Sequence, residues 1–390
     1  MEIVKKEIEL SINKRAFNVL FISIFSAMIG LGIVVPLLPF YAESLGATGI
    51  WIGAIFSGFS LARAIFMPII GKISDRRGRK ALIIFGLLIY TAISLAYIAA
   101  NSVYSLTLVR IIHGMASAMV IPIAMAYIAD LSPEGEEGKH MGTFTISLFL
   151  GMGFGPLFGG IIKDLAGMEA VFLSMAVFSS ISLIICLVLL PDSKGSIIQP
   201  SLKDVIKNRM MKAVLFFRVM NSFAHGTFMV FLPMVASILI GLSPSQIGFL
   251  ISVSVLTTAT LQRYFGKMAD KHKKSLLIVF GLVIVALSMI TIPFLKGFAP
   301  LLVVSMLIGI GSSISIPSAT AIVAIAGREV GQGSAMGAFN TAMSIGMITA
   351  PMVSGIVMDV VGVTHVFIFS GLICLFSAFI FWLIALKTGV

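Results

Sequence analysis

Charge is the scarcest feature of this chain. Only 11% of its 390 residues are Asp, Glu, Lys or Arg, against roughly 25% in soluble domains. Hydrophobic residues make up 58%, and the mean hydropathy is +1.10. That balance excludes a soluble enzyme or nucleic-acid binder and predicts an integral membrane protein. Cysteine is almost absent: Cys186 and Cys374 each sit inside a long apolar run and read as small hydrophobes. Neither a disulfide framework nor a metal site is expected from them, and the five histidines show no ligand spacing. No cofactor is implied. A G-x-x-x-x-G-K-[S/T] loop is missing too, and twelve spans of about 20 residues leave no room for a nucleotide-binding domain, so ATP-driven transport is disfavoured.

Long uncharged stretches mark the spans: 16–42, 44–62, 81–109, 111–129, 141–162 and 170–191 in the first half. In the second half 219–262 holds two, split at Gly241-Leu-Ser-Pro-Ser-Gln246, and 275–295, 297–327, 330–358 and 360–386 follow. No small-residue cleavage site follows a short hydrophobic core near the N-terminus, so the first span reads as retained. With the N-terminus inside, 21 of the 27 Lys and Arg fall in inner loops and termini, and only Lys163 and Lys296 fall outside. By the positive-inside rule both termini are expected to be cytoplasmic, in the cell (plasma) membrane. The same asymmetry explains the net charge of +11 without any nucleic-acid partner.

A shift of 195 residues aligns the sequence with itself. Ten glycines coincide, among them Gly53/Gly248, Gly71/Gly266, Gly151/Gly346 and Gly160/Gly355, where chance gives about two. Asp75/Asp270, Pro156/Pro351 and Asp164/Asp359 coincide as well. The expected fold is therefore all-α, with twelve transmembrane helices in two six-helix pseudo-repeats. Its parts are an N-terminal bundle (1–190), a basic cytoplasmic linker (191–212) and a C-terminal bundle (213–390). Two parallel repeats with a site between them is a transporter architecture.

Four motifs sharpen this. The loop after span 2 is Gly71-Lys-Ile-Ser-Asp75-Arg-Arg-Gly78-Arg79-Lys80, and the second half repeats it as Gly266-Lys-Met-Ala-Asp270-Lys-His-Lys-Lys274 without the second glycine. Span 1 carries Gly30-Leu-Gly-Ile-Val-Val-Pro36-Leu-Leu-Pro39, span 4 Arg110-Ile-Ile-His113-Gly114, and span 5 Gly151-Met-Gly-Phe-Gly155-Pro156-Leu-Phe-Gly159-Gly160. In this order the chain resembles the major facilitator superfamily, and within it the twelve-span drug:proton antiporters. The resemblance implies alternating access, with two six-helix bundles rocking about a central cavity. It ties the span 5 motif to export.

Gly151, Gly155 and Gly159 lie four apart, which lets a neighbouring backbone approach, and Pro156 removes a helix hydrogen bond. Plain small-residue packing and a dedicated gating bend both fit. Asp75 is positioned to cap the start of span 11 near Gly331-Gln-Gly333 in an outward-open state. Asp270 would do the same near Lys139, while Arg79 is placed to pair with Asp130.

Arg63, Arg110 and Arg218 fall within spans, where each arginine facing lipid would cost about 2.5–3.5 kcal/mol. They need a wet cavity or a partner. His113 lies one turn from Arg110, and Arg218 shares a stripe with Asn221, Ser222 and His225; Asn340, Asn18 and Thr341 are further cavity candidates. Arg110 bonding to neighbouring carbonyls and Arg218 snorkelling to the inner surface are the structural alternatives. No span holds an acid in its central region, whereas family members that expel cations commonly use one. The expected substrate is thus a neutral or anionic amphipathic small molecule, exported in exchange for protons, with His113 or His225 as carriers or Asp75 and Asp130 as the alternative. An organic-anion uptake carrier or uncoupled facilitator, with the arginines as a clamp, is the other reading. A monomer in the lipid bilayer is expected. If Asp75 is a latch, Asp75→Asn lowers transport while expression and folding are retained, as a flux assay beside size-exclusion chromatography would show.

Overall fold

The computed structural model describes residues 2–132, 137–192, 209–330 and 332–388; most of the basic 191–212 segment lies outside them. The described residues are almost entirely helical. Helix α1 (Glu2–Val34) runs straight through the charged N-terminal stretch into span 1 and stops before Pro36. There the proline ring can neither donate a hydrogen bond nor clear the preceding turn. A short α2 (Leu38–Ser44) completes the span, tied by the Tyr41 hydroxyl to the carbonyl of Ala100 at 2.6 Å. Spans 2, 3 and 4 are α3 (Gly49–Arg77), α4 (Lys80–Ala99) and α5 (Val103–Leu131).

Helix α6 (Glu137–Leu189) has 53 residues and would be about 80 Å long if straight, far more than one crossing of a hydrocarbon layer of about 30 Å. Gly167, with φ of 83°, breaks it into arms 137–166 and 168–189, so it supplies spans 5 and 6. Spans 7 to 12 are α7 (Arg209–Ile240), α8 (Pro244–Lys271), α9 (Lys274–Thr291), α10 (Phe298–Val330), α11 (Gln332–Val361) and α12 (Val363–Thr388). The chain thus makes twelve crossings, and both termini emerge at one end, here the terminal end. At the opposite, far end, Gly46/Gly241 and Gly167/Gly362 turn the chain with positive φ. Each pair is 195 residues apart, so the repeat extends to the corners.

Packing repeats as well. In the first half α6 lies on α1 and α4, and α5 on α3 and α4; in the second, α7 packs on α11 and α12, and α10 on α8 and α9. Spans 3, 6, 9 and 12 expose large apolar side chains such as Phe85, Val188, Phe280 and Phe376, as lipid-facing helices do. Two seams join the halves: α3 with α11, and the first arm of α6 with α8.

Three apolar clusters show where the molecule is closed. At the far end one cluster unites both halves, running from Ile33 and Leu37 to Phe228, Phe231 and Ile251. At the terminal end there are two separate clusters. One holds Leu20, Ile83, Tyr127 and Phe144 of the first half; the other holds Met211, Phe217, Ile322 and Phe381 of the second. Gly71, Gly142 and Gly337, toward the terminal end, have open space where a Cβ would project. The halves are therefore sealed at the far end and parted at the terminal end.

Within the first half, close backbone approach holds the span 1–span 5 contact. A Cβ on Gly155 would lie 2.6 Å from Gly32 Cα, and one on Gly151 2.8 Å from the Phe25 carbonyl. Gly155→Leu is expected to cost about 1–3 kcal/mol by overpacking, lowering the thermal midpoint in detergent by several degrees. Gly142→Leu, into open space, should leave that midpoint within a degree or two.

Candidate functional site

In the first half, span 4 turns its Arg110–His113 face inward and the neighbours complete it. Arg110 is 2% exposed and His113 fully buried. The guanidinium carbon sits 4.3 Å from the ring centre of Phe59 and 5.0 Å from that of Phe56, contacts worth about 0.5–2 kcal/mol each. Arg110 Nη1 donates to the Tyr97 hydroxyl at 3.4 Å, and Tyr97 Oη lies 2.9 Å from His113 Nδ1. The phenol oxygen thus sits between the guanidinium and the imidazole and links the two. Tyr90 and Phe59 stack edge-on against the same ring. Arg110 Nε, His113 Nε2 and Tyr90 Oη have no hydrogen-bond partner among the described residues. No ion pair among those residues includes Arg110. Arg63 on span 2 is half-buried.

Span 7 provides the counterpart. Arg218 Nη2 meets the Met343 thioether at 2.9 Å, and its guanidinium lies 4.7 Å from the centre of the Phe339 ring. Its Nε is likewise unpartnered among the described residues. Asn221 is buried, His225 half-buried and Asn340 exposed. Sequence reasoning found the arginines but not the aromatic and thioether groups around them, because a Tyr or Phe inside an apolar run carries no positional signal. An acid-free cluster of this kind attracts electron-rich groups. Each buried donor left unpaired costs about 1–3 kcal/mol, a penalty that an acceptor on a bound molecule would remove.

At the terminal end the 71–80 segment forms an ionic knot; it is not a loop but the last turns of α3 with Gly78 and Arg79 leading into α4. Arg79 is 4% exposed. Its Nε and Nη2 donate to the two carboxylate oxygens of Asp130, the latter at 3.2 Å, and Nη1 reaches Asp75 and Ser74 at 3.3 Å. Gly78, at φ of 89°, makes the turn that brings Arg79 back over the end of α3. The second half has Lys273 there, in an ordinary extended conformation. The expected seat for Asp75 includes Gly331, outside the described residues, and the side chains of Asp270 and Lys139 are outside them too.

The span 5 motif has two working faces. Gly151, Gly155 and Gly159 press on span 1, while Gly153, Pro156 and Gly160 meet span 8 at Leu256, Gly248 and Pro244. The seam between α3 and α11 repeats this pattern, with Gly53 against Pro351 and Gly49 against Gly355. Repeat-equivalent serines bridge both seams: Ser57 Oγ donates to the Ile348 carbonyl at 2.6 Å, and Ser252 Oγ accepts from the Leu157 N–H at 3.0 Å.

Twelve spans, two like halves and paired glycine seams match one family model, the Major Facilitator Superfamily, over residues 20–218 and again over 214–389. The chain belongs to that superfamily. It is 32% identical to an uncharacterised MFS-type transporter, MJ1560, of Methanocaldococcus jannaschii, across 91% of this chain and 94% of that one. With the quinolone resistance protein NorA of Staphylococcus aureus it shares 28% identity across 89% and 91%. Among solved structures, an inward-facing bacterial homologue of the human lysosomal transporter Spinster superposes with a TM-score of 0.82 at 13% identity, covering 96% of this chain and 97% of that one. As a superfamily member the chain is a multi-pass membrane transporter of small molecules and not an enzyme.

The knot at Arg79 is testable apart from transport. Arg79→Gln removes the cation that Asp75 and Asp130 share and is expected to cost about 2–3 kcal/mol. Asp130→Asn, which keeps an acceptor, should cost less; thermal unfolding of the purified variants ranks them.

Proposed function

We propose that this transporter exports neutral or anionic amphipathic small molecules by alternating access, in exchange for protons. The observation that carries the reading is Arg110: a buried guanidinium held by aromatic rings and a phenol, with no acid paired to it among the described residues. A cationic substrate would be repelled there, while an anion or a strong hydrogen-bond acceptor would pair Arg110 Nε. Arg63, Arg110, His113, Arg218, Asn221, His225 and Asn340 would line the path. Efflux is favoured by the similarity to NorA, named for drug resistance, and by the glycine–proline motif of span 5. His113 is the favoured proton carrier in this proposal, since its Nδ1 lies 2.9 Å from the Tyr97 hydroxyl that Arg110 also reaches, and a proton gained by the ring would sit near Arg110 until a substrate anion offsets the charge.

The same arginines favour a second reading, an organic-anion uptake carrier or an uncoupled facilitator. In either case the halves 1–190 and 213–390 would move as bodies about the 191–212 linker. Asp75, Gly78, Arg79 and Asp130, with Gly71, Gly266 and Asp270, would hold the terminal end when it closes. The positive-inside asymmetry makes that end cytoplasmic in the plasma membrane, and the protein would act as a monomer.

Luminal pH in proteoliposomes, recorded while matched anionic, neutral and cationic amphipaths are added, tests the proposal. Anionic and neutral compounds should move protons, and Arg110→Gln should cut anion-driven movement about tenfold, a loss of about 1.4 kcal/mol, while sparing the neutral compound. Proton movement driven only by cations would overturn the substrate assignment. Anion flux without a proton signal would establish the facilitator.

A further inference from the structure

Two carboxylates bridge the halves at the far end, and they occupy the same place in the two repeats. Asp359, at the end of span 11, accepts from the backbone N–H groups of Gly49 at 2.6 Å and Ile50 at 2.8 Å, the first residues of span 2 in the other half. Asp164, at the end of span 5, accepts from the N–H of Ser245 at 2.9 Å, at the start of span 8. Asp164 and Asp359 are 195 residues apart, as are Ile50 and Ser245. In both cases a carboxylate on one half caps the positive end of a helix on the other.

Donor accounting shows why the caps matter. The first N–H groups of a helix have no partner within it. Thr48 precedes span 2 but makes no side-chain cap, so Asp359 satisfies two donors that span 2 does not satisfy itself. Span 8 begins with Pro244, which has no N–H, and Ser243 caps Gln246; Ser245 is left for Asp164. One latch therefore holds two donors and the other holds one.

We infer that Asp359 and Asp164 are the far-end latch of the transport cycle, stabilising the state in which that end is sealed and weakening the competing state in which it opens. Alternating access needs the α3–α11 and α6–α8 seams to part there, and each parting strips a helix start of its carboxylate. The glycine contacts beneath supply the fit, and the aspartates supply a bond that exists in one state alone. Both are exposed to solvent, so each biases the equilibrium modestly and stays breakable. Asp359 is the stronger of the two because it loses two charge-assisted hydrogen bonds on opening.

Spin labels at Asn101 and Lys296, exposed far-end residues in opposite halves and 195 apart, report the opening by pulsed electron–electron resonance on the purified full-length protein, with Cys186 and Cys374 replaced by alanine. Asp359→Asn should raise the ratio of the long to the short distance population roughly two- to fivefold. Asp164→Asn should raise it less, and the double variant should multiply the two effects because the seams are separate. Glu43→Gln, at an exposed far-end acid that does not cross a seam, is the control. A double variant with an unchanged distribution, or one that moves no further than Glu43→Gln, overturns the inference. Should the double variant not fold, amide exchange at Gly49 and Ile50 in Asp359→Asn decides: faster exchange supports the latch and unchanged protection overturns it. No substrate enters either readout, so a wrong substrate assignment would leave these results untouched.

Discussion

Where Gly155 of span 5 meets Gly32 of span 1, two helix backbones touch with no side chain between them. In lipid there is no hydrophobic force between helices, because acyl chains are as apolar as leucine, and close packing has to supply the attraction. Close backbone approach recurs along both seams between the halves: Gly53 on Pro351, Gly248 on Pro156, Gly49 on Gly355 and Gly160 on Pro244. Removing side chains from these positions brings backbone carbonyls and N–H groups within reach across the seams. Only because the seams are that narrow can Ser57, Ser252, Asp164 and Asp359 form hydrogen bonds from one half to the other. A seam made of small groups and a few polar bonds is tight when closed, yet costs little to separate.

Charge is handled differently at different depths. At the terminal end, Arg79 is surrounded by Asp75, Ser74 and Asp130, so its desolvation is offset by direct pairing. Within the spans, Arg110 and Arg218 have aromatic faces, a phenol and a thioether instead. Such neighbours support a cation without neutralising it, so the field remains available to a molecule that brings its own negative charge or acceptor. An acid in either place would have used that field up. This contrast, rather than the number of arginines, underlies the proposed substrate class.

Much of the architecture is legible in the sequence. The uncharged runs reveal the spans because a bilayer tolerates few charges, and the 195-residue register reveals the repeat because duplicated helices need glycine at duplicated contacts. The arginines of spans 2, 4 and 7 were conspicuous for the same reason: in an apolar run a charge must have a purpose or a partner. The partners were not legible. Tyr97, Phe56, Phe59 and Met343 belong to residue types that lipid contact alone would explain, and each comes from a helix other than that of the arginine it touches. The Asp164/Asp359 coincidence was visible as a pattern, but the Gly49, Ile50 and Ser245 donors lie 310, 309 and 81 residues away in sequence.

The sequence by itself determined that this chain spans a membrane twelve times in two like halves, because hydropathy and glycine periodicity are local properties that every competing arrangement must respect. Only the tertiary structure decided which end is sealed and which side chains meet across the seams. Sealing the opposite end would call on the same helices with the same local preferences, so no local pattern encodes which end is closed.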